Sequence, residues 1–155
     1  MGFILLIGCI LMCWGGDSAL ACIQGLDWGM TVDEVSTHLG SPLPSNSSQS
    51  MRFSTKGVLL DRLPVSLMTV EVDRSEGLRG LAYEFSIEDM SEVLSGLRAR
   101  HGQPLTTSQD DANSTEQIWV WNTGEDLITA VKRDTSNNQQ FLISYRPSRL
   151  RPETL

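Results

Sequence analysis

The sequence predicts an α+β fold in two layers, with tandem α-β-β-β units whose two helices pack on one face of an antiparallel sheet. Three observations predict it. Two segments each carry a capping signal, an apolar stripe and a Gly-x-Pro-Leu stop, and the stops at Gly40 and Gly102 lie 62 positions apart. The stretches that follow alternate apolar and polar residues with period two. Those stretches come in runs, as antiparallel strands do, whereas parallel βαβ units separate each strand from the next by a helix.

The first helix lies in residues 31 to 43, T-V-D-E-V-S-T-H-L-G-S-P-L. Thr31 and Glu34 make a capping box, Val32, Val35 and Leu39 the stripe, and Gly40 and Pro42 the stop. Trp28-Gly29 sits where an apolar staple fixes the angle at which the chain joins the helix. The second helix spans residues 86 to 105. Ser86 caps its first turn with Asp89 at the third helical position, Met90, Val93, Leu94 and Leu97 fall at i, i+3, i+4 and i+7, and Gly102 and Pro104 end it.

Residues 44 to 50, P-S-N-S-S-Q-S, read as a polar loop. Met51 to Thr55 and Val58 to Leu60 are short strands around the Lys56-Gly57 turn, and Asp61-Arg62-Leu63-Pro64 is a connector. In residues 65 to 74, Met68, Val70 and Val72 point one way and Thr69, Glu71 and Asp73 the other, the mark of a half-buried strand. Ser75-Glu76-Gly77 turns into a partner strand carrying Leu81, Tyr83 and Phe85. After the second helix, residues 106 to 116 read as an exposed polar loop. Gln117 to Asn122, Leu127 to Arg133 and Gln140 to Arg146 then form a three-stranded meander, which Pro147 and Pro152 end.

The N-terminus bears on location. Residues 2 to 14 are an uncharged apolar run of 13, short for a bilayer span and suited to a signal-peptide core, and Ala19-Leu20-Ala21 offers small residues for cleavage after Ala21. No Lys or Arg follows Met1, which departs from the usual positive start. The division is therefore residues 1–21 as signal peptide and 22–155 as a single domain of two quasi-repeats, about 28–85 and 86–146, with a short polar tail. Cys9 and Cys13 lie within the leader, so cleavage leaves Cys22 as the one thiol, with no intramolecular disulfide. Ala-Leu-Ala-Cys resembles a bacterial lipoprotein processing site, which implies a lipid on Cys22; a free thiol on a soluble exported protein is the other reading.

Charge excludes one partner class. A formal charge of -7 disfavours nucleic acid. All basic residues but Lys56 and Lys132 are arginine, and Arg146, Arg149 and Arg151 cluster near the C-terminus as a phosphate-binding or partner-binding patch or as a solvated tail. Asn46 and Asn113 stand in N-x-S/T sequons, relevant only where the host glycosylates exported proteins.

Preceded by Trp28-Gly29-Met30, the first helix segment resembles the G-M-T-x-x-E-V-x-x-x-L-G-x-P signature of small bacterial envelope proteins. These are the outer-membrane assembly lipoproteins of the BamE/SmpA type and the wider group with the β-lactamase-inhibitor-protein-like fold. The matching residues are Gly29, Met30, Thr31, Glu34, Val35, Leu39, Gly40 and Pro42. The resemblance implies a non-enzymatic envelope or secreted protein that binds another protein with its sheet or loops. A second unit departs from the assembly group, whose members have one; a tandem repeat is what the inhibitor-type members possess.

Motifs for chemistry are missing from the sequence after the leader. H-x-x-x-H, C-x-x-C, G-x-S-x-G and P-loop patterns do not occur, and Glu88-Asp89, Asp110-Asp111 and Glu125-Asp126 lack the D-x-D-x-D-G spacing of a calcium loop. His38 and His101 each precede a helix-ending glycine, where an imidazolium interacts well with the helix C-terminus. Trp119, Trp121, Tyr83 and Tyr145 remain, either as an aromatic anchor patch for a partner or as core. The expectation is an exported, non-enzymatic protein-binding module of the bacterial cell envelope, in the periplasm or at the outer membrane. It has no cofactor, catalytic residue or metal site, and meets the membrane only through Cys22. The alternative is an inhibitor or immunity protein that blocks a secreted or periplasmic enzyme, and oligomeric state stays open.

Overall fold

A computed structural model describes residues 25–40, 50–108, 116–135 and 138–148. Residues 1–21, expected as a signal peptide, with Cys22, Asn46, Asn113, Arg149, Arg151 and most of the two polar loops, lie outside the described residues. The chain is α+β, and every strand pairing among the described residues is antiparallel.

Helix α1 runs Val32–Leu39. Its capping box closes as expected: Glu34 N–H donates to Thr31 Oγ1 at 3.4 Å, and Thr31 N–H donates to Glu34 Oε2 at 2.7 Å. The hydrogen bonds from Thr31 hold the Glu34 carboxyl below its ordinary value. Gly40 closes the helix in the left-handed region at φ 63°, as its lack of a Cβ permits. Immediately upstream, Gly29 N–H donates to the Leu78 carbonyl at 3.0 Å and Leu78 N–H to the Met30 carbonyl at 2.8 Å. The Trp28-Gly29-Met30 segment is thereby stitched to the start of a strand before the helix begins.

Five strands follow α1 in two groups. Strands β1 (Ser50–Thr55), β4 (Leu67–Asp73) and β5 (Gly77–Phe85) form a meander, and between the first two lies a separate hairpin of β2 (Val58–Leu60) and β3 (Leu63–Val65). That hairpin corrects the connector expected at 61–64. Asp61 (φ 50°) and Arg62 (φ 77°) both take positive φ, the requirement of a tight two-residue turn. The turn's register pairs Leu60 with Leu63 and therefore puts Leu59 opposite Pro64 as a non-hydrogen-bonded pair, where proline's missing N–H is not needed.

The second helix also starts later than its cap. Ser86 Oγ accepts from Glu88 N–H at 3.4 Å and opens a 3₁₀ turn, Ile87–Asp89, before α2 runs Met90–His101. A single tight turn lets the chain swing directly from the end of β5 into the helix. The stripe falls as expected, with Val93, Leu94 and Leu97 buried and Met90 half-buried. Gly102 ends α2, its N–H reaching the Arg98 carbonyl at 2.9 Å, and its own carbonyl accepts the Trp121 indole N–H at 3.0 Å.

Strands β6 (Thr106–Ser108), β7 (Glu116–Asn122), β8 (Asp126–Thr135) and β9 (Asn138–Pro147) complete a seven-stranded sheet in the order β1-β4-β5-β9-β8-β7-β6. Strand β6 corrects the expected loop at 106–116 over its first three residues. All three side chains are exposed, so an edge strand made by main-chain pairing alone leaves no alternation to read. The registers put Met51, Phe53, Met68, Val70, Val72, Leu81, Tyr83, Phe85, Phe141, Ile143, Tyr145, Ile128, Ala130, Trp119 and Trp121 on one side. They share one core with Val35 of α1 and the α2 stripe. Each large apolar side chain so covered contributes roughly 1.5–3 kcal/mol of burial.

Gly77 marks the tightest backbone approach. A Cβ there would stand 2.2 Å from the Gly29 carbonyl oxygen, and Gly77 itself has φ 75°. Gly77→Ala is expected to destabilise by about 2–4 kcal/mol, since strain and a main-chain clash coincide. Arg62→Gly relieves the second positive-φ position and is expected to stabilise by roughly 0.5–1 kcal/mol. Urea unfolding midpoints at unchanged slope check both.

Candidate functional site

The four aromatic residues expected as partner anchors stand in the core instead. Trp121 and Tyr83 are fully buried, Tyr145 and Trp119 nearly so. The physical reason is the register: all four point to the side of the sheet that the helical stripes occupy, and that side must exclude water. Tyr83 and Tyr145 meet edge to face, with centroids 6.0 Å apart and planes at 87°. Burial pushes the Tyr145 hydroxyl up to about 12 and the Tyr83 hydroxyl higher still, and Tyr83 Oη has no hydrogen-bond partner among the described residues.

The opposite side of the sheet is the candidate site. Two rows cross five strands: Leu67, Glu84, Leu142, Val131 and Ile118, then Thr69, Ala82, Ser144, Thr129 and Val120. Glu84 is the sole charge in those rows. Small and β-branched side chains keep the surface flat, and Leu142 and Leu127 remain 36% and 37% exposed. A solvated sheet face usually carries charged residues at such positions; here they are displaced to the ends.

One end is an ion-pair lattice. A register shift after Glu71 leaves Arg79 as an extra residue in β5, and the bulge sends its guanidinium to Glu71, with Nε and Nη2 donating to Oε1 at 3.0 and 2.5 Å. Arg79 Nη2 also donates to Ser50 Oγ at 3.0 Å, and Nη1 lies 3.8 Å from Asp73. Gly80 makes room: a Cβ there would stand 3.2 Å from Glu71 Cβ. Burial pushes the Glu71 carboxyl up, but hydrogen bonds and charge from Arg79, with the charges of Arg52 and Arg146, outweigh it and hold the group below its ordinary value. Asp73 is held down to about 2, chiefly by the Ser75 hydroxyl and N–H, which donate to Oδ1 at 2.6 and 2.8 Å. Beside the lattice, Arg79, Leu127 and Arg146 border an open hollow of about 820 Å³. Arg146 is exposed and makes no ion pair within the described residues.

On the covered side, one polar group is buried beneath Trp28. Asp126, 5% exposed, accepts the Trp28 indole N–H at 2.6 Å, and its own N–H donates to Thr123 Oγ1 at 2.9 Å. Burial raises its carboxyl, an effect the indole and nearby His101 partly offset. His101 itself is lowered by burial and then by the charge of Arg100. Trp28, expected as an apolar staple, therefore also ties the segment before α1 to the start of β8, a link 98 positions long in sequence that no local pattern signals.

No cluster of three His, Cys, Asp or Glu side chains suited to a metal occurs among the described residues. None of the described helices is long and apolar enough to cross a membrane. Compared with protein-family models, with curated proteins and with solved structures, the chain matches none. The Arg79 bulge was the part of the site most open to detection in sequence: between Leu78 and Leu81 two residues intervene where period two allows one.

Trp28→Phe removes the donor to a buried carboxylate and is expected to cost about 1.5–3 kcal/mol at pH 7. Because Asp126 titrates above its ordinary 3.8 when folded, the penalty of burying its charge is present above that raised value and is relieved as pH falls through it. The deficit of Trp28→Phe against the parent is therefore expected to shrink on acidification. Asp73 acts in the opposite sense, losing its contribution between 3.8 and about 2 in both proteins, so it cancels in the difference. Paired urea titrations from pH 7 to pH 3 measure it.

Proposed function

We propose that this chain is an exported, non-enzymatic protein-binding module of the bacterial cell envelope, and that the open sheet face is its contact surface. The observation that carries the reading is the near-absence of charge from two five-residue rows of a face that no described element covers, in a chain whose formal charge is -7. Five strands about 4.8 Å apart and two rows about 6.8 Å apart give a charge-poor centre on the order of 300 Å², under half of the roughly 800 Å² that each partner buries in a standard interface, so the charged ends of the face belong to the contact as well. Arg52, Arg79, Arg146 and Arg133 edge it against Glu71, Asp73 and Glu116, with Glu84 inside it, so the charges balance and the complementary partner presents an apolar patch with a polar rim of mixed charge.

The tandem reading belongs to the same proposal: α1 with β1, β4 and β5 is one unit and α2 with β7, β8 and β9 the other, packed with both helices on one side. What supports it is the sheet order, in which the third strands of the two meanders, β5 and β9, lie side by side. Export and a lipid on Cys22 rest on the apolar run at 2–14 and on Ala19-Leu20-Ala21-Cys22. Either the envelope role or the blocking of an enzyme would use the same face; the captured partner tells them apart.

A photo-crosslinking residue at Leu142, on the open face, is expected to yield discrete adducts in envelope extract, and one at exposed Ser95 on α2 is not. Adducts only from position 95 would overturn the assignment. Leu142→Asp is expected to weaken capture by about tenfold or more, as loss of a central apolar contact does.

A further inference from the structure

The geometry points to a second, independent site: a small-molecule pocket between the β2–β3 hairpin and α2 that takes an apolar group bearing a positively charged amine. The pocket holds about 150 Å³. An engineered apolar cavity of about that size accepts one benzene ring. Its walls are apolar, with Leu60 and Leu63 from the hairpin, Phe85, Ile143 and the Tyr145 ring from the sheet, and Leu97 from α2.

Two features separate it from an ordinary packing gap. Gly96 sits inside α2 and lines the pocket, although glycine in a helix interior is unfavourable relative to alanine. A Cβ built on it meets nothing within 4 Å, so the empty space is where a side chain from the helix would stand. The rim, moreover, is charged in an unbalanced way. Asp61, at the hairpin's positive-φ turn, pairs with Arg100 of α2, while Glu92 makes no ion pair among the described residues. One negative charge is left at the mouth of an apolar hole, which suits a compact hydrophobic body with an ammonium head. The Asp61–Arg100 pair also ties the hairpin to α2 at the rim, holding both walls in place.

Titration calorimetry of the full chain with 2-phenylethylamine, ethylbenzene and 3-phenylpropanoate tests this. The amine is expected to bind most tightly, at roughly 0.1–1 mM, and the carboxylate most weakly. Glu92→Gln is expected to lower the amine's affinity roughly two- to fivefold, the range of an exposed charge pair, and to leave ethylbenzene unchanged. Gly96→Leu fills the void and is expected to abolish binding of all three; Gly96→Ala, which the helix accepts readily, is expected to weaken it while the chain stays folded by circular dichroism. Failure of the amine to bind at about 10 mM, equal binding of amine and carboxylate, or retained binding in both Gly96 variants would each overturn the site. Tighter binding of Nα-acetyl-lysine amide than of 2-phenylethylamine would also overturn it, since the occupant would then be a protein side chain.

Discussion

The pairing of β5 with β9 is the constraint on which the rest of the molecule depends. Residues Leu81 to Phe85 run antiparallel to Phe141 to Tyr145 and join two meanders into one seven-stranded sheet with a single core. On the covered side this seam contributes Tyr83, Ile143, Phe85 and Phe141, which share one core with Val35 of α1 and the α2 stripe. Its other side contributes Ala82 beside Ser144 and Glu84 beside Leu142, the centre of the open face. Because side chains alternate strictly, a slip of one residue would exchange the two sides and put aromatic rings in water. One register thus decides both what is core and what is surface.

Much of the architecture was legible because local chemistry and tertiary packing agree. The capping box at Thr31 and Glu34 works without any distant contact, and the stripe at Val93, Leu94 and Leu97 is buried where its period says it must be. Strands with alternating apolar residues were found for the same reason. What escaped notice has no local signature. Strand β6 buries no side chain, and β3 contains Pro64, tolerable only because its partner Leu59 occupies a non-hydrogen-bonded position. The 3₁₀ turn ahead of α2 came from the demand to leave β5 abruptly, which a cap residue alone does not encode.

The proposed contact face was harder to read, and the aromatic residues are a misleading guide to it. Trp119, Trp121, Tyr83 and Tyr145 have the composition of an interface and the position of a core; sequence fixes which side of its own strand each occupies, but not which side the helices cover. Once the covered side is known, the residues that alternate with them, Ile118, Val120, Ala82 and Ser144, become the surface of interest. The ends of that surface depend on longer-range features: the Arg79 bulge, the room left by Gly80, and Arg146 near the end of β9, opposite Leu127. The link from Trp28 to Asp126 shows the same limit, since each residue looks ordinary in its own segment.

The open face as contact surface is tested most directly by methyl cross-saturation, in which isotope-labelled chain is mixed with unlabelled envelope extract and magnetisation spreads from whatever protein is bound. Attenuation at the Leu142, Leu127, Val131 and Ile118 methyls, with Val32, Leu39 and Leu59 unaffected, is the expected result. Attenuation centred on Val32, Leu39 and Leu59 instead would contradict it.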